Sequence, residues 1–191
     1  MYIINKMIIG LIGNLGSGKD YITDNFIVPY FGYKRTHIIS VADSLKVNLI
    51  VDYHIKFDYL YKKKTQGSRH LLQHYGTDVM RKKHGNDIWL RHLDAWVNVY
   101  ENRGKDIIII PDIRFQNEVD YVKNKKGLII KVDAPDRTLD KILDEKLKEE
   151  IEHSSEKNIK NFKYDYIINN SKTNENNVKK EIEDALLTIA T

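Results

Sequence analysis

The chain has 191 residues, enough to close a single hydrophobic core, and no cysteine, which excludes disulfide frameworks, thiolate zinc sites and thiol catalysis. With 41% hydrophobic and 30% charged residues its composition is that of a folded globular protein, and no apolar run approaches the roughly 20 residues that cross a bilayer. Basic residues number 31, of which 24 are Lys and 7 Arg, against 27 acidic ones; the net charge of +4 permits contact with phosphates without requiring it.

Lys6 precedes a short apolar run without a small-residue cleavage site, which predicts a cytoplasmic protein with no secretory leader. Met7 to Ile12 reads as a buried strand. It runs into a glycine-rich turn (Gly13, Gly16, Gly18), and Ile22, Phe26 and Ile27 then predict a helix over Asp20 to Val28, stopped by Pro29. Thr36 to Val41 reads as a second strand and Ala42 to Val51 as a helix. Residues 52–67, with Lys62, Lys63 and Lys64 in a row, read as an exposed connection.

From Ser68 to His84, Leu71, Leu72, Tyr75 and Val79 share one helical face, and Arg69, Gln73, Thr77 and Arg81 form a polar stripe opposite. Gly76 interrupts this helix at a cost of about 1 kcal/mol relative to Ala, which points to a kink or a close backbone approach. Trp89, Leu90, Leu93, Trp96, Val97 and Tyr100 mark the next helix, with both tryptophans expected in the core. Asp106 to Ile110 is an apolar strand closed by Pro111, Gln116 to Lys126 a helix ended by Gly127, and Leu128 to Val132 another strand. A charged amphipathic helix follows Pro135; Tyr166 to Ile168 is a last strand, and Val178 to Ile189 a C-terminal helix. Alternation of strand and helix without a dividing linker predicts one α/β domain over residues 1–191, with a mainly parallel sheet covered on both faces.

Gly13-Asn14-Leu15-Gly16-Ser17-Gly18-Lys19-Asp20 fits the phosphate-binding pattern G-x-x-x-x-G-K, with Asp where Ser or Thr normally follows. Small residues let successive backbone N–H groups turn toward phosphate oxygens ahead of a helix N-terminus, and Lys19 adds a charge that reaches the terminal phosphates. The same spacing also suits an ordinary strand-to-helix turn with a surface lysine. Asp20 could ligate Mg²⁺ directly or through water, or could serve only the helix dipole. His70 and His74 are four residues apart but have no evident third metal ligand. The Asn169-Asn170-Ser171 turn could touch a base or simply reverse the chain. No stripe interleaves aromatic and basic residues, so stable nucleic-acid binding is not expected.

Five segments in order resemble the virus- and phage-type deoxynucleoside monophosphate kinases: the phosphate loop with its Lys19-Asp20, Ala42 to Lys46, Leu72 to Thr77 with Arg81, Asp112 to Glu118, and His153 to Glu156. Tyr21 stands where the family usually has Thr, Ser44 and Gln116 where it usually has Pro. The resemblance implies a three-layer P-loop kinase fold with a five-stranded parallel sheet, a monophosphate-binding insertion near residues 42–104 and a lid near 133–157. It implies transfer of the ATP γ-phosphoryl group to deoxynucleoside 5′-monophosphates, with ATP and Mg²⁺ as cofactors, small-molecule nucleotide partners and no membrane association. A homodimer, and a host-cytoplasmic setting for a viral protein, are compatible with it.

The implied ATP site is Gly13, Asn14, Gly16, Ser17, Gly18, Lys19, Asp20 and Tyr21, with Arg137 closing from the lid or lying on the surface. Asp43, Lys46, Arg69, Gln73, Thr77, Arg81, Asp112, Arg114 and Glu118 are the implied substrate contacts, with Asp20 and Asp112 as metal residues. Lys19, Arg114 and Arg137 are the expected catalytic cations. For Arg69 and Arg81 a solvated helix face is the alternative. Arg114 follows the end of a buried strand, where parallel sheets place ligands. The acceptor phosphate is mostly dianionic at neutral pH, so no general base is needed. A phosphomevalonate kinase-like enzyme, and a nucleotide-binding module without turnover, remain the other readings.

Overall fold

The computed structural model describes residues 6–62, 65–136, 158–171 and 175–190. Its contacts divide the chain into two compact units, residues 1–38 with 100–191, and residues 39–99.

The first unit is built on five parallel strands: β1 (Met7–Ile12), β2 (Thr36–Ile38), β3 (Ile107–Ile110), β4 (Leu128–Asp133) and β5 (Tyr166–Asn169). Their order is β2-β3-β1-β4-β5, so β1 is central. Gly10 lies opposite both Ile110 of β3 and Ile129 of β4. The β3 run Ile107 to Ile110 is wholly buried, as expected for a strand covered on both faces. On one face Ile9, Leu11, Ile107, Ile109, Ile130, Val132 and Ile168 pack with Ile22, Ile27, Val28 and Phe31 and with Val178, Ile182 and Leu186 of the C-terminal helix, Glu175–Ala190. On the other, Val122 of the helix Gln116–Asn124 lies, with Ile113 and Ile129, where a side chain at Gly10 would project. The expected parallel α/β sheet with helices on both faces is present.

Several boundaries differ from those read in the sequence, each for a local reason. Pro29 does not stop its helix: Lys19–Ile22 continues through a π-helical segment, Thr23–Ile27, into Val28–Phe31. The wide turn places the Val28 N–H on the Thr23 carbonyl, five residues back, and Pro29 then sits in the first turn of the next segment, where a missing N–H costs least. Strand β2 ends at Ile38 because Ser40 caps a helix: its Oγ accepts from the Ala42 N–H (3.2 Å), while the Asp43 carboxylate accepts from the Ser40 N–H (3.2 Å). The helix before β4 ends at Asn124, with Lys126 in the left-handed region (φ 56°). Gly127 has another task, since a Cβ there would meet the carbonyl of Ile8.

The second unit is helical: Val41–Tyr53, Phe57–Tyr61, Gln66–Gln73, a π segment His74–Arg81, Lys82–His84, and most of Ile88–Asn102. The connection expected over 52–67 therefore contains a helix, whose Phe57 and Tyr61 rings stack one turn apart (4.5 Å). At Gly76 an added Cβ would come within 3.0 Å of Leu45, and the Gly76 carbonyl accepts from the buried indole of Trp89 (3.0 Å). The close approach anticipated at this glycine is real, and it coincides with the π segment. Trp96, in contrast, is 47% exposed; only Trp89, Leu93 and Val97 of this helix are buried, so the core stripe is narrower than the hydrophobic pattern.

Candidate active site

The loop after β1 has the backbone that its glycines allow. Gly16 and Gly18 adopt φ of 82° and 89°, a region that favours glycine. The Ser17 N–H donates to the Asn14 carbonyl (3.1 Å), closing a turn. Lys19 Nζ folds back over the loop and donates to the carbonyls of Gly13 (2.7 Å) and Asn14 (3.3 Å). The Ser17 hydroxyl is buried with no hydrogen-bond partner among the described residues, the kind of orphan polar atom that calls for an explanation at a binding loop. Asp20 is exposed, and Tyr21 is 53% exposed with its ring edge-on to Phe26 (5.7 Å).

Because β3 lies directly beside β1, the segment after β3 emerges at the same carboxyl edge of the sheet as the phosphate loop. The Ile113 N–H donates to the Leu11 carbonyl (3.3 Å) and ties the two strand ends together. Half-buried Asp112 and Arg114 flank Ile113. Glu118 was expected among the substrate contacts; its carboxylate is 3% exposed and engaged by the protein itself. One of its oxygens accepts from the N–H groups of Arg114 (2.7 Å) and Phe115 (3.1 Å).

The residues expected in the second unit form their own cluster. Asp43 Oδ1 accepts from the Tyr61 hydroxyl (3.2 Å) and lies 3.4 Å from Lys46 Nζ, which sits 4.3 Å from the centre of the Tyr61 ring. Burial, and then the charge and hydrogen bond of Asp43, push the Tyr61 phenol up to about 12. Of the polar stripe, Arg69, Gln73 and Thr77 are half-buried, whereas Arg81 is 7% exposed and donates to the Asn86 carbonyl (2.8 Å). The π segment changes the angular step at His74, which is why an i,i+4 stripe counted on α-helical geometry does not hold to its end. Arg137 and His153 to Glu156 lie outside the described residues.

Tyr61 had not been singled out, and Asn170 only as part of a turn that could touch a base or reverse the chain. Tyr61 fell in the supposed connection, where its spacing from Phe57 was the available signal. Asn170 is 1% exposed, and its Nδ2 donates to the Ser17 carbonyl of the phosphate loop (2.8 Å). The turn Asn169 to Ser171 thus includes a side chain aimed at the loop, which a sequence separation of 153 conceals.

The family described as "Deoxynucleotide monophosphate kinase" matches residues 30–181, most of the chain. The chain belongs to the deoxynucleotide monophosphate kinase family. As a kinase of this family it is a phosphotransferase that uses ATP to phosphorylate deoxynucleoside monophosphates, and the phosphomevalonate kinase-like and turnover-free readings give way to this one. It is 28% identical over 187 residues to a protein of Acanthamoeba polyphaga mimivirus, provisionally named a deoxynucleotide monophosphate kinase; the match covers 87% of this kinase and 90% of that protein. Its fold is similar to the crystal structure of TT1252 from Thermus thermophilus, with a TM-score of 0.59 at 16% identity over 98% of this chain and 99% of that one. The phosphate loop of the kinase precedes residues 30–181, the part that the family matches, so its reading stands on its own backbone geometry. No helix among the described residues is long and apolar enough to cross a membrane.

Proposed function

We propose that the kinase holds the phosphates of ATP with Gly13 to Asp20 and transfers the γ-phosphoryl group to the 5′-phosphate of a deoxynucleoside monophosphate under the charge of Lys19 and Arg114. The observation that carries this reading is the adjacency of the phosphate loop and the Asp112 to Arg114 segment at the carboxyl edge of neighbouring strands. In phosphoryl transfer the charge spreads over the equatorial oxygens, so catalysis is positioning plus electrostatic stabilisation. Lys19 would exchange its two loop carbonyls for donor phosphate oxygens. The Arg114 guanidinium is a planar, permanently charged fork suited to a phosphate, and Glu118 acts behind it as a positioning residue by fixing its backbone.

Mg²⁺ suits the same edge. It favours oxygen ligands and keeps several waters, so exposed Asp20 and half-buried Asp112, with nucleotide phosphates, make a sufficient donor set. Once bound it neutralises developing charge on the phosphates. On the acceptor side we assign Arg69 to the monophosphate and Gln73 and Thr77 to the base edge. Asp43, Lys46 and Arg81 support the same substrate. Arg137 is assigned to ATP.

The test is an ADP-release assay with ATP, Mg²⁺ and a panel of deoxy- and ribonucleoside monophosphates. Turnover on at least one deoxynucleotide, abolished by Lys19→Ala and strongly reduced by Arg114→Ala, is the expected result. Full activity in either variant removes that residue from the mechanism.

A further inference from the structure

Asn170 follows the last strand directly, with its side chain buried. Its own N–H donates to the Asp133 carbonyl at the end of β4 (2.7 Å). On either side the turn is tied down: the Asn169 N–H donates to Glu181 (2.8 Å), and Asn169 Oδ1 accepts from the Ser171 N–H (3.1 Å). From this fixed base the Asn170 amide reaches the Ser17 carbonyl. A Cβ at residue 18 would collide with the Asn170 Nδ2, so glycine there satisfies two demands, the positive φ and the room for this amide.

The bond has a directional consequence. No peptide in the described chain is cis. In a trans peptide the carbonyl and the following N–H point in opposite directions, so a donor holding the Ser17 carbonyl also fixes where the Gly18 N–H points. A glycine on the far side of a peptide makes that plane easy to flip, because both signs of φ are open to it. Gly18 N–H is one of the donors by which such a loop cradles phosphate. We propose that Asn170 is a positioning residue for phosphoryl-donor binding, locking the Ser17–Gly18 peptide so that the Gly18 N–H is held toward the phosphates.

This rests on the reading of residues 13–20 as the ATP loop. Asn170→Asp keeps the shape and the main-chain bond to Asp133 but replaces the amide donor by a carboxylate facing a carbonyl; Asn170→Ala removes the side chain. Both variants are expected to raise the KM for ATP about tenfold, the equivalent of one lost hydrogen bond to a buried carbonyl, with the KM for the deoxynucleotide within twofold of wild type. Inorganic tripolyphosphate, which has no base, should lose affinity in parallel with ATP. A loss confined to ATP would mean that Asn170 contacts adenine, and a uniform fall in activity and melting temperature without the KM split would make it a structural residue; either overturns the lock.

Hydrogen exchange of the Gly18 amide in the wild-type protein needs no variant. It should slow when ATP binds, and unchanged exchange would refute the proposal even if the variants fail to fold. Lys19→Ala separates the two levels: if it remains active, the ATP loop itself has been misread, whereas a dead Lys19→Ala with normal ATP affinity in Asn170→Asp rejects only the lock.

Discussion

Removing the Glu118 carboxylate should separate what holds the strand-end segment from what reacts there. The group is almost fully buried and accepts two backbone N–H groups, those of Arg114 and Phe115. Hydrogen bonds to a charged acceptor are worth about 1.5–3 kcal/mol each, and truncation leaves both donors inside the protein. Glu118→Ala should therefore cost about 3–6 kcal/mol, a large share of the roughly 5–15 kcal/mol that stabilises a domain. Glu118→Gln can still offer one oxygen to both N–H groups, but as a neutral acceptor, and should cost about half as much. Urea unfolding reads this as a lower midpoint with an unchanged slope. In the ADP-release assay kcat should fall on the order of 100-fold in the folded fraction of Glu118→Ala, the scale expected when a reacting group is misplaced by about 1 Å. A variant unfolding within about 0.5 kcal/mol of wild type, the range of an ordinary surface change, would refute the account of the buried carboxylate. Lost stability with kcat intact would refute its link to Arg114.

Other consequences can be measured independently. Gly76→Ala gains about 1 kcal/mol of helix propensity but presses a methyl against Leu45, at a cost of about 1–3 kcal/mol; a lower melting temperature is expected, and trimming Leu45 to Val should restore part of it. Trp89→Phe keeps most of the buried ring but abandons the Gly76 carbonyl, and should lower stability by about 1 kcal/mol in denaturant unfolding. Tyr61, held near 12 when folded against about 10 when unfolded, contributes stability that is present below pH 10 and lost as the pH climbs from 10 to 12. Asp43→Asn should bring its ionisation down, read as phenolate absorbance relative to Tyr61→Phe in the same background; an unchanged titration would remove Asp43 as a cause.

The parallel sheet and the phosphate loop were legible because their signals are local: a run such as Ile107 to Ile110 needs burial on both faces, and Gly16 and Gly18 are where the loop needs a positive φ. The misreadings came from interactions that local patterns do not carry. Pro29 reads as a stop only if the helix before it is regular, and the π segment removes that condition. Ser40 sits in an apolar stretch and was absorbed into a strand, although Asp43 three residues later completes a cap. Gly127 looked like a helix terminator, yet it is glycine because the Ile8 carbonyl lies against it, and Lys126 takes the left-handed turn instead. In the candidate site, the sequence pointed to the loop and to Arg114, and the structure places the two segments at the ends of neighbouring strands. The carboxylate that anchors the Arg114 backbone, and the amide that reaches the loop from Asn170, required coordinates.

The strand order also dictates when this kinase can become itself during synthesis. β1 and its phosphate loop leave the ribosome early, but the strand on one side of β1 begins at Ile107, the strand on the other at Leu128, and the amide that reaches Ser17 lies 153 residues downstream of it. A ribosome-bound chain halted before β4 has a central strand with an open edge, which is a template for wrong partners. Such long-range pairings fold slowly, so ATP binding should arise late and abruptly along a series of nascent chains, only after Asn170 has cleared the exit tunnel.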